Sequence, residues 1–236
     1  MQDIKILYED EQIVVCVKPA GMPSQGDRSS TMDFVSWLKN HLMMERKERK
    51  DPPYIGIVHR LDRPVGGVMV YAKTAGAASK LSAQFAKHET DKVYMAVLTG
   101  IFDEKEGCLK DKLLKDGRTN TSKIVREGGK EASLDYRVLE EKDGQSLVEV
   151  HLHTGRHHQI RVQMAHAGCG IYGDVKYNKA GTEKWNAAHS VSGRGQQLRL
   201  FSCSLSFIHP TSGKKMNFKV LPDWNKGTID GWASLL

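Results

Sequence analysis

Two apolar runs, Ile55–Val58 and Gly67–Ala72, leave this chain few ways to fold. The first is rich in Ile and Val, the second in Val, and both are too short for buried helices, so they read as strands. Between them lies the polar break His59-Arg60-Leu61-Asp62-Arg63-Pro64. Two buried strands must therefore present one carboxylate from a tight turn. A carboxylate between Arg60 and Arg63 is expected to stay ionised, which suits a nucleophile or a base better than an acid. An Asp that merely closes a turn, held by backbone N–H groups, is the plainer reading of the same residue.

The rest of the chain adds strands and a few helices. Ile4 to Tyr8 and Ile13 to Lys18 are short strand candidates, followed by the loop Lys18-Pro19-Ala20-Gly21-Met22-Pro23. Phe34, Trp37, Leu38, His41 and Leu42 recur at helical spacing, predicting an amphipathic helix over Thr31 to Glu45. Its charged tail, Glu45 to Asp51, reads as a solvated loop. Thr74 can cap an Ala-rich helix ending near Lys87. Lys92 to Leu98, Leu134 to Leu139 and Ser146 to Leu152 read as strands, the last two joined by Lys142-Asp143-Gly144. Residues 103 to 130 read as a projecting basic loop or hairpin. A helix is expected from His157 to Ala167, a polar loop over Trp185 to Gly195, and closing strands over Leu198 to Leu205 and Met216 to Val220. This order predicts an α+β fold dominated by a mixed or antiparallel sheet.

Length and composition bound the setting. The 236 residues suit one domain without an internal linker. No run is long enough to span a bilayer and the first residues lack a signal-peptide pattern, so a soluble, cytoplasmic protein is expected. Cys16, Cys108, Cys169 and Cys203 form no CxxC pair, which argues against a zinc knuckle or a disulfide framework. A net charge of +7 favours a polyanionic partner without requiring one.

Two further segments carry chemistry. In Thr154-Gly155-Arg156-His157-His158-Gln159-Ile160-Arg161, a helix starting near His157 would make an anion site of its N–H groups and Arg156. An inward-facing Arg161 needs a carboxylate, for which Asp62 is the first candidate; an outward-facing one is an ordinary surface residue. In Asp91-Lys92-Val93-Tyr94-Met95-Ala96-Val97, alternation sets Tyr94 opposite the aliphatic face, where its ring could stack on a base or sit half-buried in the strand. His151, His153, His157 and His158 cluster, but no HExxH or Cys partner accompanies them, so no metal site is expected.

Together these segments resemble the RluA-type family of RNA pseudouridine synthases. The resemblance rests on His59-Arg60-Leu61-Asp62 with Gly67 and Ala72-Lys73-Thr74, on Lys92 to Val97, and on Gly155 to Val162. Ile171-Tyr172-Gly173-Asp174 with Tyr177 and the Lys18-Pro19-Ala20-Gly21 opening extend it over nearly the whole chain. It implies a pseudouridine synthase fold, a mixed and largely antiparallel sheet with peripheral helices and a central catalytic cleft. It implies Asp62 as the essential aspartate, Tyr94 as the ring stacked on uracil and Arg161 as the partner of Asp62. Arg60, Arg156 and Gln159 would bind substrate. The partner would be RNA, ribosomal or transfer, with no cofactor, no membrane and no obligate protein partner, the chain acting as a monomer without a separate N-terminal RNA-binding domain. Two positions depart from the family pattern: Val65-Gly66-Gly67 replaces Thr-Ser-Gly, and Gln163 stands where a His is usual. A catalytically silent RNA-binding protein of the same fold and a metal-dependent hydrolase built on the histidines are the competing readings.

Overall fold

The strand that follows the Asp62 turn is buried at every position, which is why its sequence is apolar without alternation. In the computed structural model, residues 4–26, 31–45, 52–191 and 196–224 are described. The charged tail read as a solvated loop falls largely at 46–51, outside them. The chain forms two compact units, residues 1–91 with 202–220, and 92–201 with 221–236.

In the first unit, β1 (Ile6–Glu9), β2 (Ile13–Lys18), β4 (Gly66–Ala72) and β10 (Leu200–Ile208) lie in that order. The short β3 (Gly56–Ile57) pairs antiparallel with β4, and β11 (Lys215–Lys219) with β10. The expected strand over Ile55 to Val58 thus shrinks to two residues. One sheet face is closed by α2 (Ala75–Ala86), whose Ala77 and Leu81 pack with Ile13, Val15, Val68, Val70, Ala72, Leu205 and Phe207. Thr74 caps α2, its hydroxyl accepting from the Ala77 N–H at 3.1 Å. Tyr71 sits at an alternate position on β4 and meets Phe34 of α1 (Phe34–Glu45) with ring centroids 5.7 Å apart. At Gly67 (φ +131°) a Cβ would lie 2.3 Å from the Ser202 carbonyl oxygen, so only glycine fits.

The second unit is an antiparallel array in the order β5 (Asp91–Thr99), β9 (Gln145–Leu152), β8 (Lys130–Lys142), β6 (Glu106–Asp116) and β7 (Thr121–Val125). Asp143 and Gly144 both have positive φ and close the β8–β9 hairpin, as the Asp-Gly pair predicts. The basic segment expected as a loop or hairpin is the β6–β7 hairpin, with Leu113 paired to Ile124. Helix α3 (Gln159–His166) starts two residues later than expected, because His158 takes a left-handed conformation (φ 55°) at its N-cap. Helix α4 (Lys179–Ala188) overlaps the segment read as a polar loop. Thr182 is its one buried residue, so the helix buries little apolar surface. Among the described residues, no helix is long and apolar enough to cross a membrane.

Candidate functional site

Asp62 is held in place chiefly through its neighbours. On one side, Ser24 Oγ donates to the Leu61 carbonyl at 2.8 Å and accepts from the Leu61 N–H at 3.2 Å. On the other, the Arg63 carbonyl accepts from the Gly21 N–H at 2.8 Å and from the Lys18 ammonium at 3.3 Å. Arg63 does not flank the carboxylate alone, since its Nε donates to the Gly21 carbonyl at 3.0 Å. The Val65 N–H closes the turn on the Asp62 carbonyl at 3.0 Å. Thus the Val65-Gly66 departure leaves a tight backbone turn behind the carboxylate. His59 is docked by the Val70 N–H, which donates to its Nε2 at 3.1 Å, and by stacking on Phe85 at 4.5 Å. Asp62 itself is partly exposed, and Arg60 is exposed.

Lys18 belongs to this site although only the loop motif marked it. It is fully buried, and its ammonium also donates to the carbonyls of Met22 at 2.7 Å and Pro19 at 2.9 Å. Burial lowers its pKa to about 7, against the opposing pull of the nearby Asp62 charge.

In the second unit, Arg161 faces inward and is 4% exposed. Its Nε and Nη2 reach the two carboxylate oxygens of Asp174, each at 2.7 Å. The Asp174 oxygens also accept from the N–H groups of Lys176 at 3.0 Å and Tyr177 at 3.2 Å. The Arg161 guanidinium lies 5.2 Å from the Tyr177 ring centroid. The sequence reading supplied Asp62 for Arg161 and left Asp174 without a role. The structure provides this second carboxylate within the same unit. The motif Gly173-Asp174 with Tyr177 was the available signal.

The remaining candidates are built into the scaffold. Gln159 is 3% exposed; its Oε1 accepts from Thr154 Oγ1 and the Arg156 N–H, and its Nε2 donates to the Ser133 carbonyl. Arg156 gives its N–H to Gln159 and its Nε to the Glu131 carbonyl, so the expected anion site loses that N–H to the protein itself. Tyr94 is 8% exposed, and its strand neighbours Lys92 and Ala96 are buried too. Alternation separates the two faces but does not report their burial, and β5 is covered on both sides. Gln163 ties α3 to β6, its Nε2 donating to Asp111 Oδ2 at 2.7 Å.

The clustered histidines go to separate partners: His151 to Glu149, His153 to Asp135, His157 to Asn120 and Ser122, and His158 to Tyr177. Among the described residues, no group of three or more His, Cys, Asp or Glu is placed to hold a metal ion. Asp135 is also bonded to Cys108, the exposed cysteine, which raises the pKa of that thiol.

Residues 12–166 match the family model described as RNA pseudouridylate synthase. The chain belongs to the RNA pseudouridylate synthase family. The matched stretch contains Asp62, Tyr94, Arg156, Gln159 and Arg161, and stops short of Asp174 and Tyr177. Two relatives are named ribosomal large subunit pseudouridine synthase D. That of Zymomonas mobilis is 37% identical over 92% of this chain and 69% of its own length. That of Neisseria meningitidis is 35% identical over 93% of this chain and 59% of its own length. The solved structure of human RNA pseudouridylate synthase domain containing 4 superposes with a TM-score of 0.72. It shares 24% identity and covers 92% of this chain and 88% of its own. As a pseudouridine synthase of RluA type, the chain is an isomerase that converts uridine to pseudouridine in RNA. Its fold is the α+β, mostly antiparallel fold of that family.

Proposed function

We propose that this pseudouridine synthase modifies large-subunit ribosomal RNA and that Asp62 is its essential carboxylate. The observation that carries the role of Asp62 is the clamped turn. Ser24, Gly21 and Lys18 fix the residues on both sides of Asp62 while the carboxylate keeps access to solvent. Such preorganisation serves a reacting group, whose position matters more than its burial. The names of the two relatives support the ribosomal substrate.

The reaction breaks the N1–C1′ bond of a uridine, turns the base and joins C5 to C1′, the C5 proton passing to solvent and N1 taking up a proton. It is internal and redox-neutral, so its balance calls for no electron carrier. A stacked uridine must first leave its helix, at a cost of a few kcal/mol. Arg60, exposed beside Asp62, is suited to the space the base vacates. Tyr94 serves as the platform for the flipped uracil, and Arg161 as the cation paired with Asp62. Arg156 faces the RNA backbone, and Gln159 acts by holding its loop. The exposed Lys115, Arg118, Lys123 and Arg126 of the β6–β7 hairpin add phosphate contacts. We place the protein in the cytoplasm as a monomer.

Tritium release from ribosomal RNA carrying 5-tritiated uridine tests the reading. Wild-type protein releases tritium, and Asp62→Ala releases none while retaining RNA affinity. Turnover by Asp62→Ala, or an inactive wild type, overturns it. A primary isotope effect from 2′-deuterated uridine would mark Asp62 as a base at C2′, and its absence as a nucleophile at C1′.

A further inference from the structure

We propose that Tyr177 is a positioning residue through which the β6–β7 hairpin, on docking RNA, sets the Arg161 guanidinium. The inference rests on Arg161 and the hairpin acting in the pseudouridine synthase as proposed above.

Tyr177 stands between the two. On one side its ring packs against the Arg161 guanidinium, and its backbone N–H binds the Asp174 oxygen that Arg161 also binds. On the other side its hydroxyl accepts from the Ser122 N–H on β7 at 2.7 Å. The same hydroxyl lies 2.8 Å from His158 Nδ1, at the N-cap of the helix that carries Arg161.

Further bonds tie the tip of the hairpin to the same helix. Ser122 Oγ donates to the His157 carbonyl at 2.7 Å and lies 3.0 Å from His157 Nδ1. His157 Nε2 lies 3.1 Å from Asn120 Oδ1, and the Lys176 ammonium donates to the Asn120 carbonyl at 2.7 Å. The rings of His157 and His158 stack at 3.8 Å. His158 is held in a left-handed conformation that a non-glycine residue adopts at a cost. The surroundings must therefore hold it, and the Tyr177 hydroxyl bonded to His158 and the hairpin bonds to the adjacent His157 act on that turn. A load on the exposed cations of the hairpin is thus applied, within two hydrogen bonds, to the helix start and ring that fix Arg161. Ser122 is buried, which shields its own bonds to Tyr177 and His157 from water, while the Asn120 bonds are exposed.

The test compares two substrates, full large-subunit ribosomal RNA and a minimal stem-loop of it, too short to reach the hairpin. Turnover at saturation is measured for wild type, Tyr177→Phe and Asn120→Ala. Tyr177→Phe keeps the ring under Arg161 and loses the hydroxyl. It is expected to cut kcat on the long RNA by up to about tenfold, in line with the loss of the two part-buried hydrogen bonds of the hydroxyl. The loss on the stem-loop is expected to be several-fold smaller, with KM for the long RNA little changed. Asn120→Ala, which loosens the same linkage from the hairpin side, should repeat the pattern more weakly. Equal losses on both RNAs, a larger loss on the stem-loop, or no loss on either overturns the role of Tyr177. An inactive wild type on both RNAs instead overturns the functional reading beneath it.

Discussion

The Asp62 turn and the Arg161 helix hold opposite charges by opposite means. Asp62 is partly exposed, and the bonds that fix its turn run through the backbones of Leu61 and Arg63. Arg161 is buried and gripped directly by the side chains of Asp174 and Tyr177. A group that must react is well served by a turn fixed through its neighbours and by access to solvent. A group that must only stay put is best fixed by its own atoms. The contrast implies that mutation separates activity from stability at one site and joins them at the other.

The largest effect should come from breaking that separation. Asp62→Asn is expected to abolish pseudouridine formation in the tritium assay while costing less stability than loss of either member of the buried Arg161–Asp174 pair, because Asp62 is partly exposed. Unfolding of Asp62→Asn well below the wild-type midpoint would erase the distinction between the regions. Arg161→Met or Asp174→Asn should instead lose about 3–5 kcal/mol in denaturant unfolding, because each leaves one buried charge without its partner. Ser24→Ala sharpens the comparison from the other side. Its two bonds to Leu61 are buried, so about 1–3 kcal/mol of stability should go. Turnover should fall further than that loss of folded protein explains, since the carboxylate is then held less firmly.

A further effect concerns Lys18 and pH. Its folded pKa is about 7, against 10.5 ordinarily. Between these values the unfolded chain binds a proton that the folded chain does not, so stability from this residue rises with pH from about 7 toward 10.5. Unfolding of wild type and Lys18→Met at several pH values should show the wild type gaining on the variant across that window. A pH-independent difference would mean that the three carbonyl acceptors keep the ammonium charged throughout.

Where local signals existed, the sequence was readable. The continuous apolar run of β4, the Thr74 cap and the Asp143-Gly144 turn each encode their structure within a few residues, and each appears where expected. Helix α4 was hidden because its one buried residue is a threonine and its one large apolar residue is Trp185, in a segment that otherwise reads as polar. Alternation gave the side of β5 on which Tyr94 lies but not its burial, because it cannot report a strand covered on both faces. The clamp of Ser24 on Leu61 spans 37 residues, and a lone serine leaves no pattern for it. Asp174 stood in a recognised motif, yet its bond to Arg161 depends on how an irregular segment folds back over α3.

Cys108 gives the molecule a built-in labelling handle. Cys16, Cys169 and Cys203 are buried, whereas Cys108 is exposed on β6, the first strand of the basic hairpin. A maleimide dye should therefore attach at one place without engineering, on the strand next to the cations expected to meet RNA. The bond to Asp135 raises the thiol pKa, so coupling should proceed slowly at neutral pH and quicken in mild alkali. A fluorophore there would report hairpin docking in real time.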